Sequence, residues 1–161
     1  IAIDEVADME VRAYRLAAYL STQRPKDWFG ARFSIPFALA TLMVGERSGL
    51  DAFGDAAVND PRIVNLASKI RVVEEPAFSA EYPTQQRVDL SLTTVGGEKF
   101  HGQCTITSGE PDRPHSAESL QRKFNDMAIP LWGEPAASEL RNAVLNLHAC
   151  PDVSKLLHFL P

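Results

Sequence analysis

At 161 residues, with 45% hydrophobic side chains, the chain is long enough for one ordinary core, or for one compact domain with a helical appendage. A formal net charge of −5 with scattered basic residues excludes an electrostatic grip on nucleic acid or an anionic membrane, and leaves room for a local small-anion site. Two cysteines, Cys104 and Cys150, are too few for a disulfide scaffold and lack zinc spacing, and no apolar run approaches the ~20 residues that span a bilayer, so a reducing, cytoplasmic setting is expected.

The sequence opens at Ile1 rather than Met and has neither a basic n-region nor a hydrophobic h-region, which is expected of an excised or processed segment. From Val6 to Tyr14, Met9, Val11 and Ala13 alternate with Asp8, Glu10, Arg12 and Tyr14, the period of a half-buried strand. Ser21 to Gly30 is polar, contains Pro25 and reads as a loop with two aromatic anchors, Trp28 and Phe29. Ser34 then caps a helix with Pro36 in its first turn, and Phe37 to Val44 runs apolar to Gly45, as in a buried helix. A second helix opens at Asp60-Pro61, spaces Ile63, Leu66, Ala67 and Ile70 helically, and passes into a strand over Ile70 to Val73.

Arg87 to Thr94 alternates Val88, Leu90 and Leu92 with Asp89, Ser91 and Thr93, and Glu98 to Ile106 carries Phe100, Cys104 and Ile106 in matching parity. Val95-Gly96-Gly97 between them predicts a hairpin whose glycines supply positive φ angles. After Ser108 to His115 the pattern is helical: Ser116 caps a stripe of Leu120, Phe124, Met127, Ala128 and Leu131, Pro135 starts a second helix, and Pro151 a third with Val153, Leu156, Leu157 and Leu160. The fold class expected is α+β, a small, mostly antiparallel sheet covered by helices and followed by a helical C-terminal segment. The domains expected are a 1–115 α+β part and a 116–161 helical part whose apolar stripes need a partner outside the chain.

The catalytic inventory is thin. His101, His115, His148 and His158 form no metal-binding spacing, Glu74-Glu75 reads as a solvated strand end, Cys104 as core, and neither cysteine has an activating histidine nearby. The remaining candidate is Ala31-Arg32-Phe33-Ser34-Ile35-Pro36-Phe37, where Arg32 and Ser34 at a helix mouth make a carboxylate-binding corner. Read from the residues alone, the plainer assignment comes first: Ser34 as a cap and Phe37 as a core aromatic.

The stretch Ala-Arg-Phe-Ser-Ile-Pro-Phe-Ala-Leu-Ala at 31–40 resembles the Ser-[Ile/Leu]-Pro-Tyr-Ala element of MmgE/PrpD proteins. Gly49-Leu50-Asp51-Ala52-Phe53, Asp60-Pro61-Arg62, Lys69-Ile70-Arg71-Val72, Tyr82-Pro83, Gly109-Glu110-Pro111, Pro114-His115-Ser116 and Lys123-Phe124 extend the likeness in order over nearly the whole chain. The resemblance implies a two-domain lyase or isomerase with a large helical domain and an α+β lid, working without redox cofactors on di- or tricarboxylates such as 2-methylcitrate, cis-aconitate or iminodisuccinate. It implies no cofactor, a small carboxylate substrate, the helical N-terminal domain of the same enzyme as partner, and a homo-oligomer. Most acid and base groups would come from that helical domain, so this chain would be a lid part inactive alone; a free-standing carboxylate-binding domain is the alternative, and a complete small enzyme a third.

Arg32 and Ser34 of the helix-mouth corner, with Phe37 added by the resemblance, are the candidate substrate-binding residues, and the catalytic residues are left unassigned. The dehydratase and decarboxylase branches carry a tyrosine at the position of Phe37 and a histidine at that of Phe33, and neither phenylalanine can move a proton. Phe37 is expected on the cleft side of its helix, because Leu39, Leu42 and Met43 already give that helix apolar surface to bury.

Overall fold

Alternation of apolar and polar residues makes β1 (Val6–Ala13) the middle of a sheet, with Val6, Met9, Val11 and Ala13 buried and Asp8 and Arg12 in solvent. The computed structural model describes residues 1–45 and 50–159, and the chain divides into two compact units, Ile1–Pro114 and His115–Pro161.

In the first unit short helices α1 (Arg15–Ala18) and α2 (Trp28–Arg32) lead to the apolar helix α3 (Ile35–Gly45). Helices α4 (Asp55–Val58) and α5 (Pro61–Ala67) follow, then β2 (Ile70–Glu74), α6 (Pro76–Glu81) and the hairpin strands β3 (Val88–Thr94) and β4 (Lys99–Cys104). The expected helix starts hold: Asp60 accepts the Arg62 N–H at 2.9 Å with Pro61 in the first turn. The same signature, Glu75 followed by Pro76, opens α6, so Glu75 caps a helix and is not merely a solvated strand end.

The four strands lie in the order β2-β1-β3-β4. The sheet is α+β as expected but mixed rather than mostly antiparallel: β1 pairs in parallel with β2, and β3 pairs antiparallel with both β1 and β4. The reason is the connection. Parallel neighbours need a long crossover, and the helices between Ala13 and Ile70 supply it, returning the chain to the same end of the sheet. Register sets Ile70, Met9 and Leu92 side by side on the inner face, where they meet Phe37 and Ala40 of α3 and Ile63, Leu66 and Ala67 of α5. Each large side chain so buried contributes roughly 1.5–3 kcal/mol.

β4 departs from expectation. Phe100 has the inward parity, opposite Leu92, yet remains 44% exposed, and Cys104 is half-buried rather than core. β4 is an edge strand, and the core cluster draws members from β1, β2 and β3 but none from β4. In the hairpin only Gly97 takes a positive φ, +84°, its N–H donating to the Thr94 carbonyl at 2.9 Å.

The second unit is α7 (Ala117–Leu145) followed by 3-10 turns at Leu147–Ala149 and Val153–Phe159. Ser116 caps α7 as expected, accepting the Ser119 N–H at 3.1 Å. The run is broken at Gly133 (φ 75°, ψ 161°), so Pro135 stands in the first turn of a new helical segment, as its position in the sequence required. The third helix expected after Pro151 is a 3-10 turn, and Leu160 of its stripe lies outside the described residues, as does Gly49.

Candidate functional site

Asp27 starts the site. Its carboxylate accepts the Gly30 N–H at 2.7 Å and so caps α2, the turn on which Trp28, Phe29 and Arg32 stand. Trp28 and Phe29 are not anchors: they are 47% and 59% exposed, and Phe33 is 53% exposed. Phe29 contacts the other two rings, Trp28 edge-on at 5.9 Å and Phe33 tilted at 5.1 Å between centroids. Arg32 lies with its guanidinium carbon 4.9 Å above the Trp28 ring, a cation–π stack that orients the charge while leaving the residue exposed.

Two residues on, the chain turns inward. Ser34 is buried, and its hydroxyl accepts the Phe37 N–H at 3.0 Å while donating to the Thr22 carbonyl. That one group therefore caps α3 and ties it to the preceding loop, and its only proton is used. Phe37 is 1% exposed, with its ring 6.3 Å from that of Phe53, and belongs to the core cluster. The expectation that it faces a cleft does not match this placement. The inner face of α3 is the line of Pro36, Phe37, Ala40 and Thr41, whereas Leu42, counted on for burial, is 50% exposed. Sequence neighbours are thus divided by the fold, with Arg32 outside and Ser34 and Phe37 inside as its support.

The outer face of the sheet carries a second polar row. Register aligns Arg71, Glu10, Ser91 and His101 across all four strands. Arg71 and Arg12 both bond the Glu10 carboxylate, Arg12 at 2.8 Å, and the Ser91 hydroxyl is 3.3 Å from His101 Nδ1. The hydrogen bond from Arg12, with the charges of Arg71 and Arg12, outweighs desolvation and holds the Glu10 carboxyl below the ordinary carboxylate range. A carboxylate committed to two arginines serves the sheet and is not a free base. Among the described residues no group of three or more His, Cys, Asp and Glu side chains could hold a metal ion. No helix among them is long and apolar enough to cross a membrane.

The loop residues Gln23, Arg24 and Lys26 carry no signal in the sequence, because a polar stretch around a proline gives no sign of what its side chains bond.

A family model of the MmgE/PrpD C-terminal domain matches residues 1–149. Cis-aconitate decarboxylase of Homo sapiens is 23% identical over 142 residues, which are 86% of this chain and 28% of that protein. The chain therefore spans little more than a quarter of the length of this relative. The match takes in the helix start built by Ser34 and Pro36, the sheet and most of the helical second unit, and by it this chain belongs to the MmgE/PrpD family as a C-terminal domain.

Proposed function

We propose that the chain is the lid part of an MmgE/PrpD lyase or isomerase acting on a di- or tricarboxylate, and that Arg32 holds one of the substrate carboxylates. The observation that supports this reading is the stacking of Arg32 over Trp28 at the mouth of α3, in a chain that belongs to this family and is similar to a decarboxylase. A guanidinium kept in one orientation loses less freedom when it takes a carboxylate as a bidentate partner. Ser34 and Phe37 contribute by fixing the backbone that carries it. Proton transfer is assigned to groups outside these 161 residues, since Phe33 and Phe37, at the positions where the resemblance puts a histidine and a tyrosine, have no proton to give.

The test uses the protein containing the rest of the enzyme, assayed on cis-aconitate, 2-methylcitrate and iminodisuccinate. Arg32→Ala should raise KM at least tenfold with a smaller change in kcat, and Arg32→Lys should restore part of it. The 161-residue chain alone should show no turnover above buffer. An unchanged KM in Arg32→Ala removes Arg32 from the site, and steady turnover by the isolated chain removes the lid reading.

A further inference from the structure

Residues 21–27 have the composition of a mobile surface loop, yet the loop is fastened along its length. The Thr22 carbonyl accepts the Ser34 hydroxyl. The Gln23 amide donates to the carbonyls of Ser68 at 3.0 Å and Ile70 at 2.8 Å, which tether it to the junction of α5 and β2. Pro25 is buried, its Cβ 3.5 Å from where a side-chain carbon on Gly30 would stand, and Asp27 caps α2. Arg24 and Lys26 alternate with these fixed points and are exposed.

Both cations line one open groove of about 660 Å³, whose other wall includes Val58, Pro61, Val64 and Asn65. Neither belongs to the ion pairs formed among the described residues. The acidic side chains adjacent in sequence are engaged elsewhere: Asp27 with the Gly30 N–H and Asp60 with Arg62. Two charges on a pinned backbone, unpaired among the described residues, thus face a mixed wall in which Val58, Pro61 and Val64 alternate with Asn59 and Asn65, in an otherwise acidic protein.

We infer that this groove binds a small organic dianion, its negative groups held by Arg24 and Lys26 and its carbon skeleton lying against Val58, Pro61 and Val64. The inference stands on the groove alone and does not depend on the role given to Arg32. Dicarboxylates and phosphate monoesters share the required chemistry, two negative charges on a short carbon frame.

The experiment is a ¹H–¹⁵N NMR titration of the 161-residue chain with succinate, with glycerol phosphate, and with sodium chloride at matched ionic strength. Saturable shifts centred on Arg24, Lys26 and Asn65 are expected for at least one organic anion and not for chloride, and the responding anion names the source. Arg24→Ala and Lys26→Ala should each weaken binding about tenfold, with the rest of the spectrum unchanged. Gln23→Ala keeps both charges and frees the loop, so it should weaken binding several-fold. Shifts reproduced by chloride, or an affinity unchanged in either charge variant, would overturn the site.

Discussion

Ser34 shows how one hydroxyl can settle the fate of its neighbours. Capping α3 and bonding Thr22, it fixes the turn after which Phe37 enters the core and before which Arg32 remains in solvent. The burial of Phe37 makes a direct prediction. A tyrosine hydroxyl at that position would be enclosed without a ready partner and should cost about 1–3 kcal/mol. Thermal denaturation of Phe37→Tyr should therefore show a fall of several degrees. An unchanged melting temperature would mean that the ring reaches water after all.

Elements depend on single positions in the same way. In the β3–β4 hairpin the two glycines are not equivalent. Gly97 has φ +84°, whereas a Cβ on Gly96 would meet only Thr94 Oγ1 at an ordinary 3.7 Å. Gly97→Ala should cost about 1 kcal/mol or more and Gly96→Ala almost nothing, as read by urea denaturation; equal costs would contradict the observed turn. On the outer face of the sheet, Glu10 is held below its ordinary pKa chiefly by the hydrogen bond from Arg12. A depressed folded pKa stabilises above the unfolded value, near ~4.3, and the benefit is lost as pH falls through the folded value. Glu10→Gln should thus lower stability by about 0.5–1 kcal/mol at pH 7, with the gap from wild type closing under acid. A gap that is constant from neutral pH to pH 3 would rule out the ion-pair origin.

The whole molecule presents a different problem, because the second unit leaves much apolar surface uncovered. Leu131 is 73% exposed, Leu145 69%, Leu157 63% and Val153 62%, and Met127 of the expected stripe 40%. Such a surface favours association. We propose that a second copy of the chain covers it, and the 161-residue chain should then run as a dimer or larger species in light scattering. A monodisperse monomer over the micromolar range would argue against that proposal.

Local chemistry determined what the sequence by itself could state. Period-two alternation gave β1 and β3, Asp60-Pro61 and Ser116 marked helix starts, and Pro135 marked the break at Gly133, because propensity, capping and side-chain parity act within a few residues. The ordered motifs likewise carried the family, which residues 1–149 match. Other features belong to the tertiary structure. Parity could place Phe100 on the inner face but could not show that β4 lies at the edge of the sheet, outside the core cluster. Nor could spacing divide Arg32 from Phe37, since the inner face of α3 is selected by the sheet and α5 packed against it. Gln23 shows the limit most clearly: its partners are the carbonyls of Ser68 and Ile70, more than 40 residues away, and only the folded chain brings them within reach.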